Sequence, residues 1–166
     1  MKILVLSDSH SGLSFMRMAI RKLSPDAVVH LGDYYDDGEA MQEEFPNIRF
    51  SLVPGNCDRG YLLRPVPETV CYPVCGVMLY MTHGHVHHVK EGGLYSLLED
   101  ARRMGAQAAL FGHTHDPFCE RTDDGLWVLN PGSCRSFGGS VGLIETQDGK
   151  IHKCRVLGVS ELEGIL

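Results

Sequence analysis

Two short apolar runs, Lys2–Leu6 and Ala27–Leu31, stand near the start of the chain, and each meets polar residues at its C-terminal end. Runs of that length predict strands. Between them Met16, Ala19, Ile20 and Leu23 recur at i, i+3, i+4 and i+7, the spacing of one helical face, and Pro25 stops the helix. A strand–helix–strand unit of this size pairs its strands in parallel through a crossover. Asp37–Glu44 predicts a second helix ended by Pro46, and Ile48–Val53 a third strand. Leu94, Leu97, Leu98, Ala101 and Met104 make a further helical stripe with Gly105 as C-cap, and Ala108–Phe111 reads as a buried strand.

The remaining periodicity is that of hairpins. Thr69–Tyr72 and Val77–Met81 flank a turn at Pro73–Gly76; Glu120–Thr122 and Trp127–Leu129 flank Asp123-Asp124-Gly125. Val141–Glu145 and Ile151–Val156 flank Asp148-Gly149 in the same way. Alternating β and α followed by hairpins predicts an α/β (α+β) chain with two packed sheets and helices outside. No repeat or linker interrupts it, so one domain over residues 1–166 is expected.

Composition narrows the partners. At 166 residues the chain is long enough to bury a core without staples. Its net charge is −6 with no basic block, which argues against a stable nucleic-acid partner or an anionic membrane surface. No stretch reaches the roughly 18 apolar residues of a membrane helix. Met1–Leu6 meets Ser7-Asp8-Ser9-His10 at once, with no export-signal pattern, so a cytoplasmic protein with reduced thiols is expected of the six Cys.

The chemistry-bearing residues are not scattered. Asp8/His10, Asp33, Asn56, His83/His85 and His113/His115 each follow an apolar strand-like run, and most have glycine beside them. In open α/β sheets the C-terminal edge of the strands is where ligands bind. Taken singly, each has a bland reading: Asp-x-His by chance, Gly-Asp and Gly-Asn as turns. Five strand ends carrying carboxylate, amide and imidazole to one rim predict a divalent-metal site, numerous enough for two ions of the Mn²⁺, Fe or Zn²⁺ kind. Asp33, the sole carboxylate at its strand end, is the expected bridge.

The ordered series Asp8-Ser9-His10, Gly32-Asp33, Gly55-Asn56-Cys57-Asp58, Thr82-His83-Gly84-His85 and Gly112-His113-Thr114-His115 resembles the calcineurin-like metallophosphoesterase superfamily. More narrowly it resembles the small YfcE-type phosphodiesterase branch. The similarity spans roughly residues 1–135. It implies a four-layer α-β-β-α sandwich of two mixed sheets. It also implies that Asp8, His10 and His115 hold one metal, that Asn56, His83 and His113 hold the other, and that Asp33 bridges them. A hydroxide held by both ions would attack the phosphorus. Mn²⁺ is the expected metal, with Ni²⁺, Zn²⁺ or Fe as the others.

Two places depart from the family pattern. Cys57 stands where many phosphatases of the superfamily carry His, and a thiol is a poorer positive partner than an imidazole. That favours a small phosphodiester over a monoester. Cys57 is read either as a passive small residue or as a proton-handling assistant, and Asp58 as an assistant or as the residue that orients the loop. After Asn130-Pro131-Gly132-Ser133 the chain runs Cys134-Arg135 in place of the Pro-Arg of relatives, so Arg135 is either a phosphate contact or a surface residue. His85 faces substrate or makes a structural bond. His30 reads as a satisfied core imidazole, and His87 and His88 as solvated loop residues.

The alternatives are a phosphomonoesterase of the same fold and, from another class, a non-catalytic protein-binding scaffold such as the retromer subunit that shares it. Intact ligands at all seven positions speak against the scaffold. A homodimer is compatible with exposed sheet edges, although no residue pattern demands one.

Overall fold

The computed structural model describes residues 1–58, 60, 62–135 and 138–165. Its first sheet contains β1 (Lys2–Leu6), β2 (Ala27–His30), β3 (Arg49–Leu52), β9 (Ser140–Gln147) and β10 (Lys150–Gly158), in the order β10-β9-β1-β2-β3. The second contains β4 (Thr69–Val74), β5 (Val77–Thr82), β6 (Ala108–Leu110), β7 (Phe118–Arg121) and β8 (Trp127–Asn130), in the order β4-β5-β6-β8-β7. Both sheets are mixed. The predicted crossover is present: β1 and β2 pair in parallel, with Leu4 opposite Val28, and α1 (Leu13–Leu23) joins them.

Alternation along β1 explains the layering. Ile3 and Val5 face the second sheet, where Leu79, Met81, Leu110 and Leu129 meet them in a core shared by both sheets. Leu4 and Leu6 point the other way, onto Phe15, Met16, Ala19 and Ile20 of α1, Met41 of α2 (Tyr35–Glu44) and Leu162 of α5 (Val159–Glu163). On the far face of the second sheet Tyr80, Ala109 and Val128 pack against Leu97 and Ala101 of α4 (Tyr95–Arg103) and Val89 of the short α3 (Val89–Gly92). The result is the expected α-β-β-α sandwich. Each fully buried large apolar side chain contributes about 1.5–3 kcal/mol of transfer free energy.

Local differences from the periodicity have physical causes. The β4–β5 connection is a two-residue turn, Cys75-Gly76, with φ of 49° and 80° and Val74 opposite Val77. Positive φ at both central residues matches the twist of the hairpin. Pro73 therefore lies within β4, which the edge position of that strand tolerates. Asp148-Gly149 makes the same kind of turn between β9 and β10, as predicted. Met104, the last residue of the α4 stripe, is half exposed because it caps the helix rather than facing the sheet. The expected strand at Glu120–Thr122 begins two residues earlier, at Phe118. No helix among the described residues is long and apolar enough to cross a membrane.

Candidate metal centre

The C-terminal ends of β1, β2, β3, β5 and β6 deliver the polar residues predicted from the sequence. The backbone is unusual there. Asp8, His10, Asp33, His113 and His115 all have positive φ, between 44° and 67°. Non-glycine residues at positive φ are strained and collect at functional sites. Each of these conformations turns the chain sharply as it leaves its strand.

Two groups of side chains bring ligand atoms within 4.8 Å of one another: Asp8, His10 and His115, and Asp8, Asp33 and His83. Asp8 belongs to both groups, whereas Asp33 belongs to the second. One oxygen of Asp8 is occupied by protein donors. Oδ2 accepts from Ser7 Oγ at 2.5 Å and from the His113 backbone N–H at 3.1 Å. Its other oxygen, Oδ1, is buried without a hydrogen-bond partner and lies 3.0 Å from His115 Nε2 and 3.8 Å from His83 Nε2. His10 Nε2 is buried without a hydrogen-bond partner as well.

His83 is fully buried, and the Leu31 carbonyl fixes its tautomer by accepting from Nδ1 at 2.8 Å. Its Nε2 then faces three oxygens: Asn56 Oδ1 at 3.1 Å, Asp33 Oδ2 at 3.4 Å and Asp8 Oδ1 at 3.8 Å. A nitrogen lone pair converging with acceptor oxygens needs a proton or a cation between them. Burial pulls the His83 pKa down, but the bond to Asp33 and the charges of Asp8 and Asp33 outweigh it and hold it above its ordinary value. For Asp33, burial acts upward and is outweighed by His83 and the Cys57 N–H, so its carboxyl lies well below the usual range. His113 is pulled down to about 4 by burial and then by His83. His10 is lowered by burial and by Arg135. Buried Asp8, Asp33 and His83, beside partly buried His10, His113 and His115 and the exposed Asn56 amide, fit a divalent cation, with ligand atoms of Asp8 and His10 left orphaned.

Residues 1–149 match the family described as the calcineurin-like phosphoesterase superfamily domain. The chain belongs to that superfamily. A phosphodiesterase of Methanocaldococcus jannaschii is 29% identical over 150 residues, covering 81% of this chain and 84% of the relative. Among solved structures, a predicted phosphoesterase of Streptococcus pneumoniae superposes with a TM-score of 0.70 at 21% identity, covering 95% of this chain and 97% of the other. The phosphoesterase YfcE of E. coli does so at 0.64 and 21%, covering 93% and 98%. A Vps29 variant from Entamoeba histolytica reaches 0.69 at 20%, covering 95% and 99%. At these identities the structures share the fold alone.

The other residues singled out in the sequence are placed as follows. Asn56 and Cys57 are exposed in a single 3-10 turn, Asn56–Asp58, after β3, and the Cys57 N–H donates to Asp33 Oδ1 at 2.9 Å. Burial, then Asp33, pushes the Cys57 thiol up to about 11. Asp58 is buried: Oδ1 accepts from Tyr34 N and Tyr35 N, both at 2.9 Å, and Oδ2 from Gly55 N at 2.8 Å. The ring of His85 lies 5.4 Å from that of His83, and its Nε2 is 3.1 Å from Glu68 Oε1. Arg135 is exposed and lines a cavity of about 570 Å³ together with His115.

Further residues support the site, two of them in the Asn130-Pro131-Gly132-Ser133 segment noted in the sequence. Asn130 donates from Nδ2 to the Gly112 carbonyl at 3.2 Å and to Thr114 Oγ1 at 2.9 Å, holding the turn that carries His113. Ser133 Oγ donates to the Asp8 carbonyl at 2.7 Å. His30, fully buried, accepts from Gly32 N at Nδ1 and lies 3.0 Å from Ser9 Oγ at Nε2, while Ser9 donates to Asp37 Oδ2 at 2.7 Å. It is the satisfied core imidazole expected. His87 is not a solvated loop residue: it is buried, 2.9 Å from Tyr80 Oη and 3.3 Å from Asp100 Oδ2. Alternation and polarity said nothing of it, because it lies in a 3-10 turn folded under α4.

Proposed function

We propose that this chain is a metal-dependent phosphodiesterase, a single catalytic domain that hydrolyses a small phosphodiester in the cytoplasm. The observation that carries the reading is the convergence of two ligand groups on Asp8, with Asp8 Oδ1 and His10 Nε2 left buried without hydrogen bonds. Asp8, His10 and His115 would hold one divalent ion, Asn56, His83 and His113 the second, and Asp33 would lie between them. Mn²⁺ suits this oxygen- and imidazole-rich set, as do Ni²⁺, Zn²⁺ and Fe. When bound, such ions supply an ionised water as nucleophile at neutral pH and neutralise charge on the non-bridging phosphoryl oxygens.

The protein's own groups set the stage for that chemistry. Ser7 and the His113 N–H hold Asp8 Oδ2, which aims Oδ1 into the site. The Leu31 carbonyl holds His83 with Nε2 inward, and the Cys57 N–H holds Asp33. These fixed partners preorganise the ligands, as supporting shells of metal sites do. Arg135 would meet the phosphate from the rim, and the cavity that it lines with His115 and Val156 of β10 would take one of the ester's organic groups. His85, 3.1 Å from Glu68 Oε1, would face the phosphate from the side of His83. Asp58, with both oxygens engaged by backbone, positions the loop carrying Asn56 and Cys57. No imidazole occupies the Cys57 position, so the less demanding diester is the favoured substrate over a monoester.

The test is turnover of an aryl phosphodiester and the matching monoester by chelator-stripped protein resupplied with Mn²⁺, Ni²⁺, Zn²⁺ or Mg²⁺, beside Asp33→Asn. Metal-restored diester cleavage, weaker on the monoester and reduced at least about 100-fold in the variant, is the expected result. Two-metal occupancy without turnover of either ester would overturn it in favour of the protein-binding scaffold.

A further inference from the structure

Six thiols are present, and the proposed reaction requires none of them. Two meet across the core. Cys119 Sγ on β7 lies 3.3 Å from Cys154 Sγ on β10. Among the described residues no other two thiols are in hydrogen-bond contact. β7 is an edge of the second sheet and β10 an edge of the first, so this contact bridges the two stacked edges. Both side chains face the core between the sheets, Cys154 as a buried member and Cys119 half-buried against it.

A disulfide is about 2.05 Å long, so the two sulfurs need to approach by little more than 1 Å, within reach of side-chain rotation at two strand edges. The two positions differ in access. Cys119 is the less buried, and its hydrogen bond to Cys154 draws its thiol below the ordinary value, whereas Cys154 is pushed up by the same bond and by burial. That asymmetry suits Cys119 as the attacking thiolate and Cys154 as the resolving thiol.

The pair is also connected to the groove beside the metal centre. Pro117 stands two residues before Cys119, and Val156 two residues after Cys154 on the same face of β10. With His115, both line the cavity of about 570 Å³. A bond between the two cysteines therefore ties one wall of that cavity to the other.

We propose that Cys119 and Cys154 form a hydroperoxide-responsive dithiol whose disulfide staples the two sheets together and fixes the groove next to His115. The Cys119 thiolate attacks the peroxide: an S–O bond forms, the O–O bond breaks, and the departing oxygen takes up a proton and leaves as water or alcohol. Cys154 then attacks the Cys119 sulfur as it gives up its proton. The S–S bond forms, the S–O bond breaks, and water leaves. Two thiols are oxidised and one peroxide is reduced, and a dithiol reverses the bond by exchange. The proposal stands apart from the metal reading, since no metal ligand takes part.

The test treats the full chain, chelated and natively folded, with hydrogen peroxide, then blocks remaining thiols under denaturing conditions and maps peptides without reduction. The expected product is a peptide pair linked through Cys119 and Cys154, removed by dithiothreitol, with a Tm higher by roughly 5 °C in the oxidised form. Cys119→Ser should abolish that rise and Cys71→Ser should retain it. Backbone amides of residues 115, 116, 118 and 156–158 should exchange more slowly in the oxidised protein. Both thiols recovered alkylated, or linked to other cysteines, would overturn the proposal; the mapping uses the wild-type chain and needs no variant to fold. Unchanged exchange despite a mapped disulfide would overturn its connection to the groove.

Discussion

Asp8 and His113 are separated by 105 residues, yet the His113 backbone N–H donates to Asp8 Oδ2 at 3.1 Å. That bond joins the ends of β1 and β6, one from each sheet, and so ties the sandwich together at the metal centre. It depends on a close approach at Gly112, where an added Cβ would collide with Ser7 Oγ and come within 2.7 Å of Asp8 Oδ2.

Gly112→Ala is therefore expected to displace the carboxylate that both ligand groups share. Overpacking of this kind costs roughly 1–3 kcal/mol. Metal affinity should fall at least about tenfold, as when a supporting partner is lost. Gly92→Ala, whose Cβ would meet nothing within 4 Å, serves as control. Denaturant unfolding and titration of the stripped protein with Mn²⁺ separate the two effects. Wild-type affinity in Gly112→Ala would remove Asp8 from the metal site.

Asp58→Asn tests whether that carboxylate positions the loop or handles protons. An amide nitrogen placed at either oxygen would face a backbone N–H, where the carboxylate accepts from Tyr34, Tyr35 and Gly55. Leaving such a group unpaired costs about 1–3 kcal/mol, so unfolding should shift to lower denaturant. A loss of turnover with unchanged stability would instead make Asp58 a proton-transfer group.

Cys57→His should raise the ratio of monoester to diester turnover by about 10- to 100-fold, because an imidazole adds a general acid that the thiol does not supply. Cys57→Ser should leave diester turnover within a few-fold. An unchanged ratio in Cys57→His would mean that substrate preference is set elsewhere, in the groove lined by Arg135.

Stability should fall on acidification through His30. Burial pulls its pKa from 6.5 to about 4, against the smaller opposing influence of Asp58. The unfolded chain therefore binds more protons than the folded one between those two values. Stability is fully present above pH 6.5 and is lost progressively as pH falls toward 4, by an amount on the order of 3 kcal/mol. His30→Gln, compared with the wild type by chelated urea unfolding from pH 7 to pH 4.5, should flatten that slope by about one proton. An unchanged slope would assign the acid lability to other groups.

Much of this molecule can be read locally. Apolar runs mark β1, β2 and β6, the i, i+3, i+4, i+7 stripe marks α1, and Asp148-Gly149 marks a hairpin, because side-chain period and turn conformation are properties of adjacent residues. The rim of polar residues at the C-terminal ends of β1, β2, β3, β5 and β6 was legible for the same reason, whereas the choice of seven candidate ligands among them came from the ordered motifs that resemble the superfamily. Tertiary structure decided what those ends meet. It set Asp8 in both ligand groups, turned His83 inward through Leu31, buried His87 beneath α4, and closed Cys119 on Cys154. These contacts join residues far apart in the chain or folded through irregular turns, and no periodicity encodes them. The His87 contact exists because α4 packs on the outer face of the second sheet; the others exist because packing two sheets face to face brings strand ends and edges together whatever their distance along the sequence.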